Sequence, residues 1–375
     1  MRILIINTLY SPYKVGGAEV SVQLLAEGLV SAGNQVRVLS LHELNYIKRD
    51  IINGVEVCYV PLVNIYWPFK KNFKPSRIKK LIWHVIDNYN PLMKKFVKLE
   101  ILDFKPDVVH TNNLAGFSVA VWDVVKANGI RLVHTARDYY LFHPNCTLFK
   151  NGTSQNPNEL NVKFWSWIKK NKSQNVDYFV GISDFIRSFY LDNGFFDKKK
   201  STFIYNPVDK ISKLNFKKDI EIIGFIGSLT IEKGFDVFCD IAKENSKKYK
   251  FCAAGRFKNN DELSFLEKKA NDSNVFLLGF ISFEDFINYV DAVILPIKWN
   301  EPFGRVIVES AISGVTVFTE KKGGVIELFD ILNNVKLLNE FNQENIDISI
   351  QENNYYIFNK DYVNKEYFKI YFCEV

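Results

Sequence analysis

Two carboxylates lie eight positions apart in the stretch Glu301-Pro-Phe-Gly-Arg-Val-Ile-Val-Glu309. Pro302 and Gly304 are typical of a tight loop that turns into a helix. Glu301 is predicted to lie in that loop and Glu309 about two turns into the helix, so that both face one pocket at the helix start. A helix N-terminus favours an anion, and carboxylates accept hydrogen bonds from hydroxyls. The spacing therefore predicts a ligand with both phosphate and hydroxyl groups, which describes a sugar nucleotide.

Glycine-containing loops follow a predicted strand in each half of the chain. Gly16-Gly17 comes after the first apolar segment, and the stretch 227–234 (Gly-Ser-Leu-Thr-Ile-Glu-Lys-Gly) takes the matching place in the second half. Glycine lets the backbone approach a ligand closely, although each loop alone could be a plain strand-to-helix turn. Neither has the glycine spacing of a dinucleotide fingerprint, which argues against a nicotinamide enzyme.

The elements that must position these loops alternate along the chain. Apolar segments predict a first group of strands at Ile3–Ile6, Gln35–Ser40, Val55–Val60, Val108–His110, Leu132–Thr135 and Phe179–Ile182. Amphipathic segments between them predict helices at Ala18–Ala32, Phe117–Asn128 and Asp184–Asn193. This alternation is typical of a parallel sheet with helices on both faces.

The pattern restarts after a polar stretch at Lys210–Asp219. The second group of predicted strands comprises Ile222–Ile226, Phe251–Ala254, Val275–Leu277, Ala292–Leu295 and Thr316–Phe318. We therefore predict an α/β protein of two Rossmann-like domains, joined near residue 208, with a cleft between them. Ligands of such sheets bind beyond the carboxyl ends of the strands.

Composition limits the class of protein. The 375 residues suffice for two domains, and 47% apolar with 24% charged residues is the composition of a folded soluble protein. No apolar run reaches the roughly 18 to 20 residues of a membrane span, and Met1–Asn7 is predicted to be a strand rather than a signal peptide. The five scattered cysteines have no metal-ligand spacing, which favours a reducing cytoplasm over disulfides or zinc.

Charge is divided unevenly between the two halves. Residues 1–207 hold 27 of the 48 Lys and Arg but only 16 of the 42 Asp and Glu, so their net charge is +11 and that of the remainder is −5. A basic half joined to a slightly acidic half indicates that one half meets an anionic surface or ligand.

Together these features resemble the GT-B glycosyltransferases of family 4, which use nucleotide sugars and retain the anomeric configuration. The resemblance extends over almost the whole chain. It is carried by Gly16-Gly17-Ala18-Glu19, the stretch 134–140 (His-Thr-Ala-Arg-Asp-Tyr-Tyr), Val180-Gly181-Ile182-Ser183, Tyr205-Asn206-Pro207-Val208, the loop 227–234, Glu301-x7-Glu309, and Gly323-Gly324 followed by Glu327.

The resemblance implies an acceptor domain at residues 1–207, a donor domain at 208–345 and a tail at 346–375 that packs back on the first domain. It also implies a retaining, metal-independent hexosyltransferase without a cofactor. No Asp-x-Asp triplet occurs, and a lysine with a helix dipole can take the role of a divalent ion. The expected mechanism is front-face departure and attack, since no protein nucleophile for a double displacement stands out.

The resemblance implies donor contacts at five positions of the second domain. Lys233 would bind the donor's phosphates, Glu309 the ribose hydroxyls and Glu301 the hydroxyls of the transferred sugar, while backbone N–H groups near Phe303 and Gly304 would cap the sugar or a phosphate. A cation at 233 would offset the charge that develops on the departing diphosphate. A solvated lysine and a helix-surface carboxylate are the ordinary alternatives.

The remaining donor positions include one departure from the family pattern. Gly16 and Gly17 resemble the loop that closes the donor site from the first domain. Ser228 stands where relatives commonly carry an arginine, and a serine supplies no charge. Arg256 or Arg305 is a candidate for the missing cation, with a solvated arginine as the alternative.

Asp138 falls in the segment that in many relatives reads His-Asp and lies beside the transferred sugar. Arg137 stands in place of that histidine. His134 or His143 is a candidate replacement, although lone histidines are more often structural. Arg137 is expected either to pair with Asp138 or to meet an anionic acceptor.

Residues 65–98 carry many lysines, a single acid and interleaved aromatic residues, and residues 162–170 have the same character. This mixture suits the headgroup layer of an anionic membrane, and the surface is assigned to Lys70, Lys71, Lys79 and Lys80. The alternative is a solvated basic face over buried aromatic rings. Nucleic acid is a weaker competitor, because no recognition motif is present.

The sequence therefore predicts a transferase at the inner face of a cell membrane that extends a lipid-linked saccharide, as in lipopolysaccharide or other surface polysaccharide synthesis. Soluble members of the family act on proteins or small molecules. Two alternatives remain open: a sugar-nucleotide epimerase or hydrolase on the same fold, and a non-catalytic partner that only binds.

Overall fold

The computed structural model of the chain describes residues 1–13, 16–70, 73–208, 220–258, 262–342, 344–346 and 355–372. The chain divides into two compact units. The first comprises Met1–Leu148, Gln155–Pro207 and Phe358–Val375, and the second comprises Phe149–Ser154 and Val208–Ile357. The polar stretch Lys210–Asp219 lies outside the described residues.

The chain up to residue 203 alternates strands and helices as predicted. Its strands are β1 (Arg2–Ile6), β2 (Gln35–His42), β3 (Lys48–Ile52), β4 (Val55–Pro61), β5 (Val108–Thr111), β6 (Arg131–Ala136), β7 (Phe149–Lys150), β8 (Thr153–Ser154), β9 (Tyr178–Gly181) and β10 (Ser201–Phe203). Its helices are α1 (Gly17–Ser31), α2 (Arg77–Asn88), α3 (Lys94–Phe104), α4 (Ala120–Ala127), α5 (Leu160–Ser173) and α6 (Asp184–Asp192).

The described strands of the first unit form an eight-stranded sheet in the order β10-β9-β6-β5-β1-β2-β4-β3. All neighbours pair in parallel except β3, which runs antiparallel to β4 at the edge. The central strand β1 is fully buried from Ile3 to Ile6, as expected of a strand covered on both faces. The predicted strands omitted β3 and β10, because an exposed, charged edge strand and a three-residue strand lack the apolar run that marks a buried one.

The second unit repeats the arrangement with a smaller sheet. Its main strands are β11 (Ile222–Ile226), β12 (Lys250–Ala254), β13 (Val275–Gly279), β14 (Ala292–Leu295), β15 (Thr316–Thr319) and β16 (Val335–Leu337), and its helices are α7 (Phe235–Asn245), α8 (Leu263–Asp272), α9 (Phe283–Tyr289), α10 (Arg305–Ile312) and α11 (Val325–Ile331). The sheet order is β13-β12-β11-β14-β15-β16, and every described pairing in it is parallel. The predicted α/β class with two parallel sheets is confirmed.

The last helix, α12 (Lys360–Phe372), belongs to the first unit. The side chains that it adds to the core of that unit are Val363, Tyr367, Ile370 and Tyr371. The Tyr371 hydroxyl lies 2.7 Å from Nδ1 of the fully buried His110. The helix therefore supplies both apolar burial and a hydrogen-bond partner that His110 could not obtain from solvent.

Within the described ranges, no helix combines the length and the apolar content that crossing a bilayer would require.

We expect Ile370→Ala to lower the free energy of unfolding of the first unit by about 2–5 kcal/mol, because Ile370 is 5% exposed and its truncation leaves a cavity. Phe372→Ala on the same helix, at 56% exposure, is the matched control and should change it little. Denaturant unfolding followed by fluorescence measures both. Equal losses would mean that α12 does not pack as described.

Candidate functional site

The carboxyl ends of β11, β12, β14 and β15 lie at one edge of the second unit's sheet, because these neighbouring strands run parallel. The described residues of the loops that follow them are 227–234, 255–258 and 262, 296–304 and 320–324. Since β11 is flanked by β12 and β14, its loop lies between the loops of those strands. The predicted donor residues of the second domain all fall in these loops or on α10.

Lys233 and Glu301 form an ion pair between the loop after β11 and the loop after β14. Trp299 Nε1 donates a hydrogen bond of 3.0 Å to the same carboxylate oxygen, and Lys233 Nζ lies 4.9 Å from the centre of the Trp299 ring. The Lys233 side chain is 30% exposed and that of Glu301 13%, so solvent still reaches the pair. The sequence analysis missed Trp299, because a tryptophan just after a buried strand is indistinguishable from a core residue.

Backbone contacts hold these two loops together. The Glu232 carbonyl accepts hydrogen bonds from the amides of Lys298 at 3.0 Å and Trp299 at 3.3 Å. Gly234 has a φ of 77°, and a Cβ at this position would lie 1.8 Å from the Pro296 carbonyl oxygen. Only glycine permits this approach, which explains the glycine directly after Lys233.

The loop after β15 holds the backbone of Glu301. The Gly324 amide donates a hydrogen bond of 2.8 Å to the Glu301 carbonyl. Gly323 has a φ of 62°, and a Cβ there would lie 2.4 Å from the same carbonyl oxygen. The Gly323-Gly324 pair therefore positions the carboxylate without contacting it.

Helix α10 begins at Arg305, with Gly304 at its N-cap in the left-handed region at φ 85°. Glu309 is the fifth residue of the helix, so it lies just over one turn from the start and not two turns as predicted. Glu309 pairs with Arg305 across one turn, with 2.8 Å between Nε and Oε1. Phe303 is 2% exposed, so its ring belongs to the core, and only its backbone is a candidate for ligand contact.

The remaining donor candidates of the second unit lie on the β12 side of β11. Ser228 is exposed, and the amide of the next residue, Leu229, donates to the Arg256 carbonyl at 3.0 Å. The Arg256 guanidinium lies 4.1 Å from the centre of the Phe280 ring, which is itself 70% exposed. Arg256 and Phe280 therefore form a cation–π pair at the surface, and Arg305 is engaged by Glu309.

At the corresponding edge of the first unit's sheet, Arg137 is 6% exposed and held by asparagines. Its Nε donates to Asn112 at 2.9 Å, and its Nη1 donates to Asn206. Asn112 follows β5 and Asn206 follows β10, so the guanidinium joins loops from separate strands. This arrangement favours a structural role over the two roles that the sequence suggested.

Asp138 follows Arg137 and is partly exposed. Its carboxylate accepts a hydrogen bond of 2.8 Å from the Tyr140 amide, and its carbonyl accepts one of 2.8 Å from the Tyr190 hydroxyl. Desolvation raises the pKa of Asp138 to about 6, and the nearby Lys169 opposes this shift. The carboxyl group would therefore exchange protons close to neutral pH.

A buried charge cluster, which the sequence analysis missed, lies beneath the segment 137–140. The Lys169 side chain on α5 is 1% exposed; its Nζ donates to the Tyr140 carbonyl at 2.7 Å and lies 3.9 Å from the centre of the Tyr140 ring. The Tyr140 hydroxyl donates to Asp87 at 3.0 Å. Burial lowers the pKa of Lys169 to about 8 and raises that of Asp87 to about 6. A lysine in the middle of a basic helix gives no sequence signal of such burial.

His134 and His143, the candidate replacements for the family histidine, differ in environment. His134 is 3% exposed, stacks on Phe196 with 5.7 Å between ring centres, and has its Nδ1 2.9 Å from the Thr111 hydroxyl. His143 is partly exposed, with Nε2 3.1 Å from Asn161. Burial lowers the pKa of His134 to about 3, which favours a structural role for that ring.

Gly16 and Gly17 lie at the start of α1. Gly16 is the N-cap, and its amide donates to the Glu19 carboxylate at 2.9 Å, while Gly17 is the first helical residue. Glu19 is 7% exposed. The glycine pair thus begins a helix whose first turn already contains a carboxylate.

The fold exposes some side chains of the basic segment 65–98 and buries others in the core. Lys70 lies 3.8 Å from Glu43, and Lys71 lies outside the described residues. Lys79 and Lys80 are exposed on α2. Two of the aromatic residues that suggested a membrane surface, Trp83 and Phe96, are only 4% and 5% exposed, so they belong to the core.

In the part of the chain that the structure describes, no three His, Cys, Asp or Glu side chains are grouped so that they could hold a metal ion.

Two family models together match residues 15–358. That of Glycosyltransferase Family 4 matches residues 15–210, and that of the Glycosyl transferases group 1 matches residues 209–358. A Klebsiella pneumoniae protein, described as an uncharacterized 42.6 kDa protein in the cps region, is 47% identical over 378 residues, which cover 99% of this chain and 100% of the relative.

Solved structures with the same fold have low sequence identity. HepE of Anabaena, in complex with UDP and glucose, matches with a TM-score of 0.71 and 17% identity over 98% of each chain. Sucrose-phosphate synthase of Thermosynechococcus elongatus matches with a TM-score of 0.65 and 16% identity over 88% of this chain and 83% of its own. These structural matches confirm the predicted GT-B fold, and the two family models confirm the family resemblance carried by the motifs.

We expect Gly323→Ala to destabilise the second unit by about 2 kcal/mol or more, because the added Cβ meets the Glu301 carbonyl as well as an unfavourable φ. Gly279→Ala is the control: its φ is 70°, but no atom lies within 4 Å of the added Cβ, so it should cost about 1 kcal/mol. Thermal unfolding separates the two. Equal shifts would contradict the close approach at Glu301.

The lowered pKa of His134 should make the free energy of unfolding decrease at acid pH. An unfolded histidine takes up a proton near pH 6.5, whereas folded His134 does so only near 3, so the free energy of unfolding falls as pH is lowered through this window. The loss should reach about 3 kcal/mol between pH 7 and pH 4. His134→Phe removes this contribution, while the other titrating groups stay the same. Parent and variant should therefore converge or cross at low pH; curves that remain parallel would refute the assignment.

Proposed function

Because this chain belongs to Glycosyltransferase Family 4, we propose that it transfers a sugar from a nucleoside diphosphate sugar to a saccharide acceptor with retention of the anomeric configuration. The observation that carries the proposal is the pair formed by Lys233 and Glu301, at the edge of a parallel sheet where α/β proteins bind their ligands. A cation for a diphosphate and an acceptor for sugar hydroxyls are thus adjacent.

Lys233 is assigned to the donor's diphosphate. Its ammonium is partly exposed and is held by Glu301 and the Trp299 ring, so a phosphate oxygen can approach it from the open side. As the bond from the anomeric carbon to the diphosphate breaks, negative charge grows on the leaving oxygen, and the attraction to Nζ grows with it. Lys233 would therefore lower the barrier rather than merely tighten binding.

Glu301 is assigned to the hydroxyls of the transferred sugar, and Glu309 to those of the ribose. The Gly324 amide and the Trp299 indole fix the backbone and side chain of Glu301, so little conformational freedom is lost when a sugar binds. The start of α10 at Gly304 and Arg305 would add backbone N–H groups and a positive dipole toward phosphate.

Transfer would proceed on one face of the sugar. The acceptor hydroxyl attacks the anomeric carbon from the side that the diphosphate leaves, and the departing phosphate oxygen takes the hydroxyl proton. No cofactor or metal enters this scheme, because Lys233 and the helix start carry the compensating charge. Asp138 is assigned to the transferred sugar and the Gly16-Gly17 turn to the donor, with Ser228 and Arg256 as further contacts to the donor.

The donor and the acceptor are proposed from relatives. The Anabaena structure contains UDP and glucose, which supports a nucleoside diphosphate sugar. The Klebsiella relative is described as a protein of the cps region, which supports surface polysaccharide synthesis. A lipid-linked saccharide, met at the inner face of an anionic membrane by exposed lysines such as Lys79 and Lys80, is the proposed acceptor.

A thermal-shift panel of UDP, GDP, TDP and ADP with their sugars tests the donor. A nucleotide sugar at a hundred times its dissociation constant should stabilise the protein by about 2.7 kcal/mol. Incubation with the stabilising sugar and no acceptor provides the second readout. Formation of an epimer of the sugar, or rapid release of free sugar, would favour the epimerase or hydrolase alternative over transfer. If no donor raised the unfolding temperature, the proposed site would be contradicted.

Lys233→Met should lower kcat/KM for transfer by about a hundredfold to a thousandfold, mainly through kcat, because the cation acts most strongly on the leaving diphosphate. Lys247→Met, an exposed lysine of the same unit, is the matched control and should keep the parental value. An effect confined to KM would mean that Lys233 binds the ground state only. Unchanged kinetics would overturn its assignment.

A further inference from the structure

Helix α2 turns its apolar stripe toward solvent. The stripe follows the i, i+3, i+4, i+7 spacing of one helix face, with exposures of 71%, 53%, 45% and 52% for Ile78, Leu81, Ile82 and Val85. The buried side of the helix holds Trp83 and Asp87, at 4% and 3%. Most surface helices are stabilised by burying such a stripe, so this exposed one indicates a surface that covers it.

Helix α5 shows the same inversion. Leu160, Phe164 and Trp167 follow the i, i+4, i+7 spacing and are 87%, 65% and 66% exposed. The buried positions of the same helix include Trp165, at 7%, and the charged Lys169, at 1%. A phenylalanine and a tryptophan outside and a lysine inside reverse the ordinary distribution of these residue types.

The two helices are neighbours in the first unit. The His84 ring of α2 packs edge-on against Trp165 of α5, with 6.3 Å between ring centres, and Lys169 acts electrostatically on Asp87. We define the α2–α5 face as the seven exposed apolar residues Ile78, Leu81, Ile82, Val85, Leu160, Phe164 and Trp167. Seven large exposed apolar residues on two contacting helices indicate an interaction site.

Charge decides which partner fits the face. The exposed cations of these helices are Arg77, Lys79, Lys80, Lys163 and Lys170. The only acid of α2, Asp87, is buried, and α5 has none. A second copy of the chain would bring these cations against one another, whereas an anionic surface would be attracted to them.

We propose that the α2–α5 face docks on an anionic phospholipid bilayer, with the apolar stripes in the boundary between headgroups and acyl chains and the lysines at the phosphates. Amphipathic helices with cationic flanks bind membranes in this way. The inference rests on the proposed function only in that a lipid-linked acceptor would bring the chain to a membrane. It differs from the expectation drawn from the sequence because aliphatic residues of α2 replace the buried Trp83 and Phe96 as the inserted groups.

Flotation of the full-length protein with vesicles of phosphatidylcholine, with and without phosphatidylglycerol, tests the proposal. The parent should float only with the anionic vesicles. Leu81→Gln/Val85→Gln and Phe164→Gln/Trp167→Gln should each weaken binding by about tenfold or more. Lys79→Gln/Lys80→Gln should weaken it by about twenty-five-fold at low salt, at about fivefold per lysine, and by less at high salt.

Leu99→Gln/Leu102→Gln is the matched control. These residues of α3 are 52% and 57% exposed, but Asp103 lies beside them, and the double variant should float like the parent. Unfolding temperatures of all variants establish that loss of binding is not loss of folding.

Three results would overturn the proposal: a parent that does not float, stripe variants that float like the parent, or equal flotation with pure phosphatidylcholine. A dimer in sedimentation without lipid that the stripe variants abolish would assign the face to a second copy instead. Because flotation requires neither donor nor acceptor, its failure is distinct from failure of the proposed transfer. A protein that floats but transfers no sugar contradicts only the latter, and one that glycosylates a soluble acceptor but does not float contradicts only the docking.

Discussion

Neighbouring parallel strands must end at the same edge of their sheet, and the candidate donor site of the second unit depends on this constraint. It brings Lys233 and Glu301 together although 68 residues separate them. The loops also touch through backbone: the Gly227 amide donates to the Ala254 carbonyl at 3.0 Å. A Cβ on Gly255 would lie 1.8 Å from the Gly227 carbonyl oxygen. The loop backbones therefore pack closely, with glycine where two backbones touch. The charged side chains of Lys233 and Glu301 lie beyond these contacts, at the edge of the sheet.

The first unit uses the same constraint with different electrostatics. At the edge of its sheet, Arg137 donates hydrogen bonds to Asn112 and Asn206. The buried Lys169 and Asp87 interact electrostatically beneath the segment 137–140. A buried ammonium is costly unless it is paired and hydrogen-bonded, and here the Tyr140 carbonyl and ring supply that compensation. The Lys233–Glu301 pair of the second unit is thus partly open to solvent, whereas the Arg137 and Lys169 charges of the first unit hold a loop in place.

The residue types in segment 65–98 did not reveal which of its side chains lie on the surface, because burial depends on the folded structure. The basic segment 65–98 contains aromatic rings that point to a membrane interface, yet Trp83 and Phe96 lie in the core. The exposed apolar residues of this region are mostly aliphatic, such as Ile78 and Leu81 on the outer side of α2, although Phe69 and Phe73 are also exposed. Helix α2 has large apolar residues on two sides, and either side could have been buried. The spacing of these residues in the sequence does not determine which side faces the core.

The sequence by itself determined the α/β class, the two parallel sheets and the positions of their buried strands, because strand-length apolar runs and glycine loops are local signals. It also identified the motif residues Lys233, Glu301 and Glu309. It missed the exposed edge strand β3, placed Glu309 one turn too far into α10, and did not find Trp299 or Lys169. Tertiary structure alone decided these points, because the partners of Trp299 and the burial of Lys169 depend on strands and helices that are distant in sequence and meet only when the sheets form.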